Sequence, residues 1–230
     1  MLTGLLLSFH WSELLQPQFY IAHGGLWLLV FVVFAETGLF AGFFLPGDSL
    51  LFVAGIYSSD LGNQVFHSNN EYFDLGILWI LFSLAGILGN FVGFWFGLKS
   101  GPFLFHRKDS FFFKKKYLHQ AHDFYEKHGG GAIIVARFLP IIRTFAPIIA
   151  GVVGMARNKF AFYNVLGCLA WVLSMLVAGH FLQKWILSQW GFDLKTHLEF
   201  IVLGIVIFTT APVLIKILTH KKKPVDKPLP

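Results

Sequence analysis

One cysteine in 230 residues, Cys168 inside an apolar segment, excludes an intrachain disulfide framework and a cysteine-based metal site. Charge is scarce as well: 13% of residues are Asp, Glu, Lys or Arg, against about one quarter in an ordinary soluble domain. One sign is missing altogether from the first 98 residues, which carry six acids and no lysine or arginine. Lys99 to Pro230 holds all 18 basic residues and six acids, so the halves stand at −6 and +12 and sum to the +6 of the whole chain. A basic balance can signal nucleic acid. In a chain that is 56% hydrophobic, the excess of Lys and Arg on cytoplasmic loops explains it better, and no nucleic-acid partner is expected.

Missing motifs exclude more. There is no Gly-x-Ser-x-Gly elbow, no HExxH and no Walker lysine, and the serines of the apolar segments have no histidine base nearby, so no enzyme and no cofactor are expected. His119, His122 and His128 fit no zinc spacing and suit a wet interfacial helix instead, so no metal site is expected. The N-terminus MLTGLLLSFH lacks basic residues and a full apolar core, so no cleavable signal is expected.

What the chain does have is apolar runs near 20 residues, the length that crosses a hydrocarbon core of about 30 Å as a helix. Five emerge: Gly24 to Tyr57, Leu75 to Leu98, Gly131 to Met155, Ala161 to Leu182 and Phe200 to Leu218. The second, fourth and fifth suit single spanning helices. The first, as one helix, would reach about 50 Å, too long for one straight crossing and cramped for two. Pro46 and Gly47 break it. In the third, Pro140, Pro147 and Gly151 are the expected breaks, and Arg137 and Arg143 interrupt it. Residues 24–57 and 131–155 therefore read as two re-entrant helical hairpins, since broken backbone is tolerated at membrane depth only under cover of protein or water. Two short crossings of 24–57 are the alternative.

The two stretches look like copies. His23-Gly24-Gly25 opens one and His128-Gly129-Gly130 the other, and Glu36 precedes Pro46 by the ten residues that separate Arg137 from Pro147. The two alignments differ by four residues, about one helical turn. Repeated broken helices point to a transporter's substrate site. Basic residues between Lys99 and Lys127 and in the tail at Lys221, Lys222, Lys223 and Lys227 place both segments in the cytoplasm, and the lysine-free Tyr57 to Asp74 outside. With a re-entrant first hairpin, the two hairpins open to opposite faces as an inverted repeat.

The expected fold is thus an all-α polytopic membrane protein: inverted-repeat re-entrant hairpins, about three spanning helices (75–98, 161–182, 200–218) and interfacial amphipathic helices. Its membrane domain covers 24–218, between an interfacial segment 1–23 and a basic cytoplasmic tail 219–230. Tyr117, Ala121, Phe124, Tyr125 and His128 share one face of an interfacial helix, and Trp185 and Trp190 suit an aromatic belt. Glycines 86, 89, 93 and 97 form a small-residue face that permits a homodimer, with Asn90 as an interhelical hydrogen-bonding group.

Two constellations carry chemistry. An ionised carboxylate in hydrocarbon costs several kcal/mol, so Glu36 and Asp48 must find a cation, line water or take up a proton. Glu36 would then load a proton on one side and release it on the other. Asp48 also reads as an N-cap for the helix that follows. Arg137 and Arg143, with Pro140 between them, stay charged and suit a phosphate headgroup through bidentate hydrogen bonds, or else neutralise the acids of the other hairpin. His180, near the end of a span, is a minor proton-relay candidate.

ETGLFAGFFLPGD (36–48) and ARFLPIIRTFAPIIAGVVGM (136–155) resemble the acidic motif and the R-x-x-P-x-x-R-x-x-x-P-x-x-A-G signature of the bacterial DedA family, relatives of the SNARE-associated Golgi or VTT-domain proteins. The resemblance extends over roughly Gly24 to Leu218. It implies a bacterial plasma-membrane protein with two opposed re-entrant hairpins that moves lipids, among them undecaprenyl phosphate or phosphatidylethanolamine, with dependence on proton motive force. Glu36, Asp48, Arg137 and Arg143 match the family's essential positions, whereas Asn90 stands where many relatives carry an acid. The expected function is a lipid flippase whose partners are membrane lipids and protons. A proton-coupled transporter of small ions or cationic drugs is the alternative within the class, and a non-transporting membrane scaffold the alternative outside it.

Overall fold

The computed structural model describes residues 25–38, 47–65, 70–106, 125, 127, 129–197 and 204, and among these there are helices and turns but no strand. In chain order the helices are α1 (Gly25–Gly38), α2 (Gly47–Ile56), α3 (Ser58–Gly62), α4 (Glu71–His106), α5 (Gly131–Arg137), α6 (Pro140–Val152) and α7 (Arg157–Trp190), followed by a 3-10 turn at Leu194–His197. Of the expected features, the segments 1–23 and 219–230 lie outside the described residues, as do the span at 200–218 apart from Gly204 and the interfacial helix apart from Tyr125 and Lys127. Tyr125 donates to the Ala146 carbonyl at 3.1 Å, and burial pushes its phenol up to about 12.

Local chemistry sets the boundaries. The Asn70 side chain accepts from the amides of Tyr72 at 3.0 Å and Phe73 at 3.3 Å and so caps α4. Gly191, at φ +62°, ends α7 in the left-handed conformation that glycine adopts at no steric cost. Glu71–Gly101 and Arg157–Trp190 are both long and apolar enough to cross a membrane. At 34 residues α7 reaches about 50 Å, so its ends extend past a hydrocarbon core of about 30 Å.

Both helices carry apolar side chains outward. Ile80, Leu84, Leu88 and Trp95 of α4 are exposed, as are Phe162, Leu173 and Phe181 of α7, while Glu36, Ser49, Asn90, Arg137 and Asn164 are buried. This is the reverse of a water-soluble surface and is what a lipid solvent requires.

Contacts between elements give the directions. Glu71 meets Lys184, Gly86 faces Cys168 and Asn90 meets Asn164, so α4 and α7 run antiparallel. α1 runs along α4, with Gly38 against Gly89, and α5 runs along α7, with Gly130 under Tyr163 and Gly167 beside Ile134. The second helices cross over. α2 packs along α7, from Asp48 at Trp171 to Gly55 at Gly179, and α6 along α4, from Gly93 at Pro147 to Gly101 at Val152. Each broken pair is therefore a helical hairpin whose first arm lies on its own half's long helix and whose second lies on the other's.

Glycine permits these crossings. A Cβ on Gly55 would overlap the Leu176 carbonyl, one on Gly179 the Phe52 carbonyl, and one on Gly97 the Ile148 carbonyl. Gly86, Gly89, Gly93 and Gly97 all face other elements of the same chain, so this face packs internally, as expected of close helix packing.

Three expectations change. α6 begins at Pro140, and Leu139 before it is extended, as a residue preceding proline prefers, but Pro147 and Gly151 lie inside α6 and break nothing. Pro147 forfeits one backbone hydrogen bond and packs beside Gly93 of α4. Gly151 instead admits the Phe94 carbonyl of α4. Because Pro46 precedes α2 whereas Pro147 lies within α6, the ten-residue spacing is not the register in which the hairpins repeat.

The crossings make a direct prediction. Gly55→Ala should cost about 1–3 kcal/mol through backbone overlap, whereas Gly76→Ala, with nothing within 4 Å of the new methyl, should be neutral or stabilising. Thermal aggregation midpoints of the two variants in detergent will separate them, with Gly55→Ala melting lower.

Candidate functional site

The four charged positions lie where the arms of the hairpins meet: Glu36 ends α1, Asp48 opens α2, Arg137 ends α5 and Arg143 sits in the first turns of α6. They converge beside Gly86, the midpoint of Glu71–Gly101, and so at mid-depth of the apolar spans.

Arg143 forks onto both acids, Nη2 donating to Glu36 Oε1 and Nη1 to Asp48 Oδ1. Glu36 stands at a helix C-terminus, where the backbone dipole disfavours an anion, so the guanidinium is its main compensation. Asp48 in the first turn of α2 is favourably placed. It is not the cap expected from sequence, because α2 starts one residue earlier and the carboxylate turns to Arg143 and Trp171. Gly47 lies so close to the Glu36 carboxylate that a Cβ there would overlap it, so glycine at this break is a requirement of packing.

Arg137 is 4% exposed and has no carboxylate partner among the described residues. Its Nη2 donates to Asn164 Oδ1 at 2.6 Å, Asn164 Nδ2 donates to the Ile87 carbonyl at 3.3 Å, and Arg137 Nε has no hydrogen-bond partner among the described residues. Asn90 lies against the same guanidinium. With its amide oxygen toward Arg137, that oxygen accepts from Arg137 and the nitrogen donates to the Thr37 carbonyl at 3.2 Å.

Trp171 completes the site. It is fully buried, donates its indole N–H to Asp48 Oδ1 at 3.0 Å, and lies under Arg143 and Arg137 at 4.8 Å and 5.7 Å from its ring centroid. Sequence reasoning missed Trp171 and Asn164. Both carry a signal, since a tryptophan or an asparagine at the middle of a span, away from the interface, needs a partner there.

Asn90, expected mainly to pack, lies in the site. His180 does not: its Nδ1 is 2.8 Å from Ser58 Oγ and its Nε2 3.9 Å from Glu71 Oε2, beyond the Gly55–Gly179 crossing. The fold thus pairs His180 with a serine just beyond the first apolar segment, 122 residues away in sequence. Ser58 is 1% exposed. Among the described residues no cluster of three His, Cys, Asp or Glu is arranged to hold a metal.

A family model described as the VTT domain matches residues 45–181. The chain is 40% identical over 205 residues to Protein DedA of Escherichia coli strain K12, covering 88% of this chain and 87% of that protein. It is 35% identical over 209 residues to an uncharacterized membrane protein of Mycobacterium tuberculosis, covering 88% and 86%. To the inner membrane protein YqjA of Escherichia coli strain K12 it is 32% identical over 162 residues, covering 70% and 69%. No solved structure matches.

Stability should report the ion cluster directly. Arg143→Met strands two buried carboxylates and should cost about 3–5 kcal/mol, while adding Glu36→Gln and Asp48→Asn should restore most of the loss. Thermal unfolding in detergent of the single and triple variants will show it, the single melting well below the triple.

Proposed function

We propose, from the premise that this chain belongs to the DedA family of VTT-domain membrane proteins, that it is a transporter moving a phosphate-bearing lipid across the bacterial inner membrane. The observation that carries the reading is Arg137, a buried guanidinium with no carboxylate partner among the described residues, beside an arginine that has two. Burying a cation is expensive unless an anion joins it, and a phosphate with several acceptor oxygens suits a guanidinium fork. The location follows the inner-membrane name of a relative, and the lysine-rich tail would face the cytoplasm.

In this reading the hairpins α1–α2 and α5–α6 are re-entrant and enter from opposite faces. Their antiparallel arms and their meeting at mid-depth support it. The described helices α4 and α7 span the bilayer, and residues 200–218 would supply a further span. Lipid tails stay among the outward apolar side chains while the headgroup travels between the hairpins to Arg137.

Arg143 is the moving charge. When a phosphate arrives, Arg143 turns from the carboxylates toward it, and a carboxylate left in apolar surroundings without its cation takes up a proton. Release of the phosphate returns Arg143 and expels the proton. The acids thus link a proton gradient to headgroup occupancy through one shared guanidinium, a differential contact of the kind a two-state cycle needs. Undecaprenyl phosphate and phosphatidylethanolamine are the candidate lipids. The charged groups bind and exchange partners here, and none is placed as a nucleophile, so transport fits them better than covalent chemistry.

Reconstitution in liposomes with labelled undecaprenyl phosphate or phosphatidylethanolamine tests this. Arg137→Ala should translocate at least about tenfold more slowly than wild type, as loss of a charged hydrogen-bonding partner implies. Glu36→Gln should lose acceleration by an imposed pH gradient. A folded Arg137→Ala protein moving lipid at the wild-type rate would refute the headgroup role.

A further inference from the structure

Trp171 joins the two charged halves of the site. Its N–H reaches Asp48, its ring face lies under Arg143 and Arg137, and the side chain is sealed from solvent. Both guanidiniums fall within the roughly 6 Å at which a cation is held by an aromatic face. Such a face has no single docking point, so a guanidinium can slide over it and stay held.

We propose that Trp171 is the positioning residue of the transport cycle: it keeps a donor on Asp48 and both arginines on one face while Arg143 changes partners. This rests on the lipid-phosphate reading above. In the ion-paired state the Arg143 fork is occupied by two acids, so joining Arg137 on a phosphate requires it to release at least one.

The two acids are not equivalent in that event. Asp48 keeps the indole N–H when the guanidinium leaves, whereas Glu36 has Arg143 as its only described ion-pair partner and keeps only the Gly47 backbone beside its carboxylate, where Oε2 makes no well-formed hydrogen bond among the described residues. Trp171 therefore sorts the carboxylates: Asp48 retains a donor through the exchange, and Glu36 is the group left to bind the proton. Position 171 is set for this by the α2–α7 crossing, which brings Asp48 to α7, and by Gly86 of α4, which leaves room for Cys168 one turn before the indole.

Two substitutions separate the indole's functions. Trp171→Phe keeps an aromatic face and removes the N–H, and Trp171→Leu removes both. Full-length protein in detergent is titrated with dihexanoyl phosphatidic acid as the phosphate probe, and translocation is measured in proteoliposomes. Trp171→Phe should bind the probe within about threefold of wild type yet translocate at least about tenfold more slowly. Trp171→Leu should bind at least about tenfold more weakly, the loss expected of a desolvated cation–π contact. Independently, the Trp171 indole 15N–1H resonance, assigned by its absence in Trp171→Phe, should stay protected from solvent exchange at saturating probe.

Wild-type transport by Trp171→Phe, or loss of that protection when the probe binds, overturns the proposal, as does equal loss of affinity in both variants. Should Trp171→Leu fail to fold, Trp171→Phe and the resonance decide alone. If wild type neither binds phosphatidic acid nor moves any lipid, the lipid-phosphate reading falls and this proposal with it. If wild type does both and Trp171→Phe matches it, only the role of Trp171 falls.

Discussion

The bond of Arg143 to Glu36 and Asp48 is the constraint on which the rest depends. A guanidinium and two carboxylates at mid-depth of an apolar bundle are tolerable only while they neutralise one another, and the cation comes from one hairpin while both anions come from the other. Docking of one hairpin against the other is therefore also a condition for burying their charges. The same dependence makes the contact exchangeable, since any anion that enters competes for a cation the acids already need.

Around that cluster the chain satisfies two solvents at once. Outward faces of α4 and α7 are apolar, as lipid demands, and polar side chains point inward to partners on other helices, as with Asn164 on Arg137 and the Trp79 indole on the Leu169 carbonyl at 2.9 Å. Exchange of second arms between the halves closes the bundle, and it works because glycines at the crossings let backbone approach backbone. Without a hydrophobic force between helices in lipid, that close approach is a large part of what holds them together.

Much of this was legible in the chain itself. The long apolar runs announced α4 and α7, Pro46-Gly47 and Pro140 marked where the other two runs break, and acids and arginines in apolar sequence marked the site residues. Less legible was the use of glycine. GILGNFVGFWFG reads as a close-packing face that also permits a dimer, since spacing does not name the partner. Pro147 looked like a break because proline costs a helix one hydrogen bond, and only the packing of α4 against it shows the helix continuing. Ser58 and His180, 122 residues apart, meet through the crossing of α2 over α7, which no local pattern encodes.

Residue type and order determined by themselves that the chain is helical and built for lipid, that two of its runs are broken, and that opposite charges sit one to each run. Burial energy dictates that such charges be compensated, so their pairing follows from composition once a membrane is assumed. The tertiary structure decided which charge pairs with which. Among the described residues Arg143 takes both acids and Arg137 takes none, because the packing of the arms brings Arg143 to the end of α1 and the start of α2. Trp171 enters the site for the same reason: its place between the arginines depends on three helices arriving together, which is a property of packing and not of any stretch of sequence.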